Sequence, residues 1–430
     1  MNNNEKPDNV SNNNTSGESS VIGNKKRKRL STDHVLPSWK KVNPNYTRSY
    51  PTSENKTKDD LILLTKNKTA VEIFELLFDN DLMENIVRET KRYAFQRNIH
   101  NFDMTVNCLK NVIGIFIYTG YNSLPQEKMY WSEDEDIDRT IIRQCMSRNR
   151  YYEIKRNIHF NNNDNISRST DRIFKIRPLI EQLNKNFIQF GIFSEKISID
   201  EQMVRYYGHH FMKQFIRGKP IRFGLKQWVI ACGTTGYCYK MDVYEGKIAD
   251  EMRNNGFNSL TGVGENIVLN MVNTFENPES HAVYIDNLFT SYTLLTELNK
   301  NGIRCTGIAR YNRMGFSKTG KNNLKSDLEM KKVNRGVYDY RFDNNNEILS
   351  VTWKDNNIVK LMSNRETVEP LVAVKRYCKK EKKYVDIYQP NLINSYNKYM
   401  GELTNWIGMY RSTVLKFEER SGIFHCSQTQ

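Results

Sequence analysis

Two stretches decide the fold: Lys196-Ile-Ser-Ile-Asp-Glu-Gln202 and His281-Ala-Val-Tyr-Ile-Asp-Asn-Leu-Phe-Thr-Ser291. The first alternates apolar and polar residues, which predicts a strand that ends at Asp200. The second opens with a short apolar run, which predicts a buried strand that delivers Asp286. A lone aspartate after a strand is usually a turn or a helix cap. The two together are informative only if the fold makes their strands neighbours.

The segments around these two strands predict the fold class. Residues 225–232 and 237–244 flank Gly233-Thr-Thr-Gly236, which is typical of a hairpin. Apolar residues at helical spacing follow at 267–275 and 288–298, and a final strand is expected at 303–309. The order strand, hairpin, helix, strand, helix, strand is that of an α/β ribonuclease-H-like core. In that fold the strands of Asp200 and Asp286 lie side by side.

Paired carboxylates at one cleft suit metal-dependent phosphodiester chemistry. Two Mg²⁺ ions bridged by carboxylates can activate the attacking oxygen and stabilise the leaving one. We therefore take Asp200 and Asp286 as candidate catalytic residues and metal ligands, with Mg²⁺ as the expected cofactor.

Composition favours a polyanionic partner. The 430 residues include 64 Lys and Arg against 49 Asp and Glu, which gives a formal charge of +15 and a pI near 9.3. Such a balance favours nucleic acid through counterion release. No stretch has the apolar length of a membrane helix, and the N-terminus lacks the apolar segment of a signal peptide. The seven scattered cysteines form no C-x-x-C pair, so we expect reduced thiols and no zinc module.

The chain divides into five expected regions. Residues 1–57 are polar and charged, which predicts a disordered basic tail, and the run 25–29 (Lys-Lys-Arg-Lys-Arg) resembles a nuclear localisation signal or is simply a solvated charge run. Residues 58–190 have helical apolar spacing and form the expected α-helical dimerisation or DNA-binding domain. The ribonuclease-H-like core is placed at 191–312. Residues 313–388 predict an inserted small β domain, and 389–430 return to the core and end in a C-terminal helical segment.

Basic residues interleaved with aromatics give candidate DNA contacts. An ordinary amphipathic helix or a solubilising surface would look similar, so both alternatives stay open for these positions. The candidates are Arg148, Arg150, Arg217, Lys219, Arg222, Lys226 and Arg313. Tyr206, Tyr207, Trp228 and Trp353 could stack on bases, but their strand spacing favours burial in a core.

With the acids placed, the chain resembles the piggyBac family of DDE transposases and their domesticated relatives. Ser198-Ile-Asp-Glu-Gln202 is similar to the family's first catalytic motif, and Asp286-Asn-Leu-Phe-Thr-Ser291 to its second. Further phrases follow in the family's order. They are Tyr130-Trp-Ser132, Met146-Ser-Arg-Asn-Arg150, His159-Phe160, Gly236-Tyr237, Trp353-Lys-Asp355 and Tyr396-Asn-Lys-Tyr-Met-Gly401.

The resemblance covers about residues 65 to 411. It implies a nuclear, homodimeric enzyme that cuts DNA at transposon ends and joins it at TTAA targets, with Mg²⁺ held by three acids. The family's third acid has no clean counterpart. An ungapped comparison puts Thr404 at that position and predicts an inactive site. A two-residue deletion instead aligns Glu402-Leu-Thr-Asn405 with the family's Asp-Leu-Ser-Asp, which makes Glu402 the third carboxylate.

Two functions from different classes therefore follow from the sequence. One is a piggyBac-like transposase with Asp200, Asp286 and Glu402 as catalytic residues. The other is a domesticated or decayed DNA-binding protein without turnover, and a hydrolytic nuclease of the same fold is more remote. Cleavage and joining of DNA, set against binding alone, separates them.

Overall fold

The computed structural model describes residues 37–51, 56–217, 219, 221–246, 262–317, 320, 322–379 and 381–400. The basic run at 25–29 and Glu402 therefore lie outside the described residues.

Residues 56–188 form the predicted helical region. Its helices carry one apolar face each and begin at side-chain caps: Asp79, for example, accepts the backbone N–H of Leu82 at 2.7 Å, and α3 then buries Leu82, Met83 and Ile86. The α-helices of this region are α1 Lys56–Thr65, α2 Ala70–Leu77, α3 Asn80–Gln96, α4 Val106–Tyr121, α5 Thr140–Cys145, α6 Arg148–Asn157 and α7 Arg177–Ile188. Its 3-10 helices are Glu127–Trp131 and Asn163–Arg168.

The rest of the described chain is built on strands. They are β1 Trp39–Lys40, β2 Lys196–Arg205, β3 Gln214–Phe215, β4 Phe223–Cys232, β5 Cys238–Val243, β6 Ala282–Ile285, β7 Arg304–Ile308, β8 Tyr338–Asp343, β9 Ile348–Lys354, β10 Ile358–Ser363, β11 Val372–Cys378 and β12 Lys383–Gln389. The α-helices between them are α8 Val263–Val272, α9 Tyr292–Lys300 and α10 Asp327–Lys332, and residues 391–400 are also helical. Pro278–Ser280 and Tyr311–Arg313 are 3-10 turns.

The centre of the sheet has the ribonuclease-H-like order β5-β4-β2-β6-β7. β2 pairs antiparallel with β4 and parallel with β6, and β6 pairs parallel with β7. Ile197, Ile199, Val283 and Ile285 point to the face covered by α8 and α9, where they join one buried apolar cluster. Ala282 and Tyr284 point to the opposite face, which packs on helix 391–400. Crossover helices thus cover one face of the central strands, as the sequence predicted.

Alternation within 313–388 predicts three strands, near 337–342, 348–353 and 358–362. They correspond to β8, β9 and β10, which continue this same sheet. β10 pairs with β7, with Leu361 opposite Ile308, and β9 and β8 follow outward. The part that leaves the sheet is the two-stranded ribbon of β11 and β12.

The helical region is fastened to the sheet by α7. The side chain of Asn184 donates to the carbonyl of Met241 at 2.7 Å and accepts the Met241 N–H at 2.8 Å, so it completes an edge of β5. The Tyr237 hydroxyl donates to the carbonyl of Phe187 at 2.7 Å. An apolar cavity of about 400 Å³ lies beside this contact, between α2, α3, α4, α7 and the strands β2, β4 and β5.

The segment 37–51 differs from the expected tail, because it packs on the sheet. Trp39 is 6% exposed and lies against the rings of Tyr292 and Phe316, at centroid distances of 5.7 and 4.6 Å. β1 pairs with β8, and the N–H of Ser38 donates to the buried carboxylate of Asp343 at 2.7 Å. Because the average composition of residues 1–57 is polar, it does not reveal the few residues that anchor this segment to the sheet.

Trp39→Ala is expected to lower the free energy of unfolding by about 3–5 kcal/mol, because it empties a site enclosed by aromatic rings. Urea unfolding of the full chain measures this change. Val42→Ala is the matched control, since Val42 is 40% exposed and its truncation should cost less than about 0.5 kcal/mol. Equal losses for the two variants would contradict the packing of this segment.

Candidate active site

Asp200 and Asp286 occupy matching positions on adjacent parallel strands. Ile199 on β2 is the register partner of Ile285 on β6, and each aspartate follows directly. Because side chains alternate along a strand, both carboxylates fall on the face that carries helix 391–400. The predicted adjacency of the two strands is confirmed. The predicted end of the first strand is wrong: β2 continues to Arg205, since β4 pairs with it along its whole length, and Asp200 lies mid-strand.

The surroundings of the Asp200 carboxyl disfavour its ionised form. Burial raises its pKa to about 6, and the negative charges of Asp286 and Glu201 act in the same direction. The ammonium of Lys219 and a hydrogen bond from the backbone N–H of Glu201, at 2.7 Å, oppose this shift without cancelling it. A cation beside Asp200 would offset the free-energy cost of ionising this buried carboxyl.

The turn after β6 fixes Asp286 through its backbone. The Asp286 carbonyl accepts the N–H of Phe289 at 3.1 Å and both the N–H and the hydroxyl of Thr290, at 3.2 and 3.0 Å. Gly307 on β7 allows this turn to pack closely, because a Cβ at that position would come within 2.7 Å of the Ile285 side chain and would strike the Thr290 hydroxyl. Within the described part of the chain, no hydrogen bond or ion pair engages the Asp286 carboxylate.

Arg313 binds the turn that follows Asp286. Its guanidinium donates to the carbonyls of Leu288 at 2.7 Å and Phe289 at 3.3 Å, and it pairs with the buried carboxylate of Glu265 at 3.0 Å. The charge of Arg313 alone predicts a DNA contact. The structure places it as a brace of the Asp286 turn, a position that charge patterning could not reveal.

Glu201 points to the other face of β2 and holds two predicted DNA contacts. Lys219 lies 3.2 Å from its carboxylate, and Lys226 pairs with it as well. Burial alone would raise the pKa of Glu201, but Lys226 and Lys219 outweigh it and the net shift is downward. Lys226 also lies 4.1 Å over the Trp228 ring. These two lysines therefore neutralise a half-buried acid beside Asp200.

Helix 391–400 closes the carboxylate face of the sheet. The Ser198 hydroxyl, two residues before Asp200, donates to the carbonyl of Tyr399 at 2.6 Å. Tyr396 is buried, and its pKa is raised well above the usual value, first by burial and then by Asp286 and Asp200. Its ring therefore lies within the electrostatic reach of both aspartates. The helix thus faces the candidate site directly.

Glu366 anchors the start of that helix. Its carboxylate accepts hydrogen bonds from the Tyr284 hydroxyl at 3.0 Å, the Asn391 amide at 3.3 Å and the Ser395 hydroxyl at 3.4 Å. Tyr284 lies on β6 two residues before Asp286. No sequence pattern pointed to Glu366, and Ser198 was noted only as part of the first family motif, without this contact to the helix.

The other predicted contacts fall into two groups. Arg148, Arg217 and Arg222 are exposed. Arg150 pairs with Glu153 at 2.6 Å and lies 5.5 Å over the Phe102 ring, so it is tied into the helical region. Of the aromatics, Tyr206, Trp228 and Trp353 are buried as we predicted, whereas Tyr207 is exposed.

The donor set fits a divalent cation in chemistry but is incomplete. Two hard carboxylates converge, which suits Mg²⁺. Across the described ranges, no group of three or more His, Cys, Asp or Glu residues is placed to hold a metal ion. Water, DNA phosphates or residues outside the described ranges would supply the remaining ligands of such a cation.

The sheet order, the flanking helices and the paired aspartates define a ribonuclease-H-like core of the DDE transposase class. A family model described as Transposase IS4 matches residues 69–419. The chain therefore belongs to the piggyBac family of DDE transposases and transposase-derived proteins.

Human proteins of this family are similar over most of the chain. PiggyBac transposable element-derived protein 3 (Homo sapiens) is 34% identical over 394 residues, which are 90% of this chain and 63% of that protein. PiggyBac transposable element-derived protein 2 (Homo sapiens) is 33% identical over 343 residues, 79% of this chain and 55% of that protein. The chain thus spans less than two thirds of these relatives.

A solved structure shares the fold. A piggyBac transposase in a synaptic complex with hairpin DNA, determined by cryo-EM, matches with a TM-score of 0.63 and 18% identity over 84% of this chain and 75% of that one. Separately, the described helices include none with the length and apolar character needed to cross a membrane.

Asp200→Asn is expected to stabilise the protein in a chelator at pH 7, by on the order of 1–3 kcal/mol. Because the pKa of Asp200 is about 6 in the native state and about 3.9 in an unfolded chain, the cost to the native state grows as the pH rises between these values and is fully present at pH 7. Urea unfolding with EDTA measures the change.

Glu201→Gln, the neighbouring control, should destabilise the fold, because it leaves two lysines without their partner. Added Mg²⁺ should stabilise the wild type and leave Asp200→Asn unaffected. A destabilised Asp200→Asn variant would contradict this account of the site.

Proposed function

We propose that this chain is a transposase-derived DNA-binding protein in which Asp200 and Asp286 hold divalent metal ions for DNA cleavage and strand transfer. The observation that carries the proposal is the pair of carboxylates at matching positions of β2 and β6. One of them has a pKa raised to about 6, and the other has no partner among the described residues.

The residues present fit Mg²⁺ at this position. Two adjacent carboxylates on a partly buried face repel each other, and an oxygen-seeking cation removes that repulsion. When bound, Mg²⁺ would lower the pKa of the attacking water or 3′-hydroxyl and offset the charge on the leaving oxygen.

The protein's own part is to hold these oxygens still. Thr290 and Arg313 fix the backbone at Asp286, and pairing of β2 with both β4 and β6 fixes Asp200. Displacement by about 1 Å at such a centre can cost roughly 100-fold in rate. These braces are therefore part of the proposed site although they touch no substrate.

Glu402 is our proposed third carboxylate. The last described turn of helix 391–400 is tied to β2 by Ser198, and Tyr396 on that helix lies within reach of both aspartates. Glu402 follows Met400 by two positions, so it is the acid closest in sequence to this contact. Thr404, the alternative, offers a hydroxyl and would leave the site with two acids.

DNA is the proposed partner. The net charge of +15 and the exposed Arg148, Arg217 and Arg222 supply cations for phosphate contacts. The matched cryo-EM structure is a synaptic complex with hairpin DNA, which supports DNA as the partner. From the family resemblance we further propose recognition of transposon ends and TTAA targets, a homodimer and a nuclear location.

A catalytically inactive DNA-binding relative is the second candidate. It is favoured by the departure at residues 402–405, where Glu-Leu-Thr-Asn stands in place of the family's acid. Such a protein would keep the fold and the basic surface and would bind DNA without turnover.

The full-length chain with Mg²⁺ is expected to nick and join a labelled duplex that carries its element's ends. Asp200→Ala and Asp286→Ala should each abolish both products, because each removes a metal ligand, and denaturing gels of the products measure this. Each variant should still bind the duplex with the wild-type dependence on salt.

Two results would contradict the enzymatic proposal. Binding without any product from the wild type would support the inactive relative, and cutting without joined product would support a nuclease. Failure to bind DNA at all would overturn both candidates.

Glu402→Gln and Thr404→Val form a matched pair that identifies the third ligand. If Glu402 is the ligand, Glu402→Gln should reduce cleavage by at least 100-fold, whereas Thr404→Val should change it only a few-fold. Single-turnover cleavage rates and Mg²⁺ titration of both variants provide the measurement. The reverse order of effects would assign the position to Thr404.

A further inference from the structure

The β11–β12 ribbon shows two different faces. In its register Ala373 lies opposite Tyr388, Lys375 opposite Asp386, and Tyr377 opposite Tyr384. All six of these residues are exposed, whereas the alternate positions are half-buried or buried, apart from the exposed Lys383 at the tip. One face of the ribbon is therefore turned to solvent.

The inner face is anchored to the sheet. The indole N–H of Trp353, a fully buried residue of β9, donates to the carbonyl of Tyr388 at 3.0 Å. Arg376 pairs with Asp355 at 3.1 Å, and Arg335 pairs with the same carboxylate at 2.5 Å. Ile387 packs against the cluster around Trp353. The ribbon is thus held in place and presents its outer face as a fixed surface.

That outer face exposes aromatic rings. Tyr377 is 48% exposed, Tyr384 69% and Tyr388 57%. The rings of Tyr377 and Tyr384 meet edge to face at 5.5 Å. Tyr384 and Tyr388 are four residues apart, about 13 Å along a strand. Three tyrosines on one short exposed face are more than a solvated surface requires.

Cations surround these rings. Residues 372–389 contain six basic and two acidic residues, a net charge of +4. At the tip, Lys383 pairs with Glu381 at 3.0 Å. Lys379 precedes that pair and Lys382 lies between its two members, and neither lysine has an ion-pair partner within the described ranges. Protein–protein interfaces are depleted of lysine at their core, whereas surfaces that bind single-stranded nucleic acid combine cations with stacking rings.

We propose that the outer face of the β11–β12 ribbon is a stacking platform for unpaired bases of a DNA strand. Tyr377, Tyr384 and Tyr388 hold the bases, and the lysines at the tip hold the backbone. The inference rests on the proposed DNA function but concerns a surface separate from the two aspartates. Every base has a π-face, so the platform tolerates different sequences.

The test uses the full-length protein and fluorescence anisotropy with a labelled single-stranded DNA oligonucleotide, the matching duplex, and the RNA of the same sequence. Tyr384→Leu is expected to weaken binding of the single strand about tenfold, and the triple Tyr→Leu variant at 377, 384 and 388 further. Tyr384→Trp should retain wild-type affinity, because it preserves a stacking surface.

Two controls separate stacking from other causes. Tyr121→Leu removes a ring that is 65% exposed at the end of α4 and should leave binding unchanged. Lys379→Gln with Lys382→Gln should weaken binding less at high salt than at low salt, as expected for backbone contacts. All substituted side chains are exposed, and thermal unfolding monitors the fold.

If the triple variant bound the single strand with wild-type affinity, the inference about the ribbon would be overturned, although the proposed DNA binding would stand. An equal loss for the duplex would also overturn it, because a duplex offers few unpaired bases. Preference for the RNA by more than tenfold would assign the surface to RNA instead. Absence of all DNA binding by the wild type would mark failure of the proposed function rather than of the ribbon alone.

Discussion

The parallel pairing of β2 with β6 is the constraint on which the site depends. Its register sets Ile199 opposite Ile285, so the next residue of each strand is an aspartate on the same face. Apolar residues on the other face bury this pairing under α8 and α9. A slip of one residue in either strand would turn one carboxylate into that apolar core, so the hydrophobic pattern keeps the two carboxylates on one face.

The same arrangement carries an electrostatic cost that the protein only partly offsets. Lys219 and Lys226 neutralise Glu201. Arg313 donates to backbone carbonyls and pairs with Glu265. No protein cation pairs with the carboxylate of Asp286 in the described chain. The raised pKa of Asp200 shows that its negative charge is not fully compensated by the protein, which is what the proposed metal site requires.

Sequence reasoning succeeded where local pattern and fold agree. The strand before Asp286, the hairpin around Gly236 and the order of elements follow from alternation and turn residues, and the family follows from its ordered phrases. Sequence reasoning failed where residues far apart in the chain determine strand length, burial or side-chain contacts. Asp200 lies mid-strand because β4 pairs along all of β2, Trp39 is buried by residues far along the chain, and Arg313 is captured by carbonyls that no spacing reveals.

The most direct test of the account is an anomalous diffraction map of crystals soaked in Mn²⁺, a stand-in for Mg²⁺. We predict a peak within coordination distance of the carboxylates of both Asp200 and Asp286. The same map would identify any third ligand, whether Glu402 or another group. A map without a peak between these residues, while both carboxylates are ordered, would contradict the central claim that this pair is a metal site.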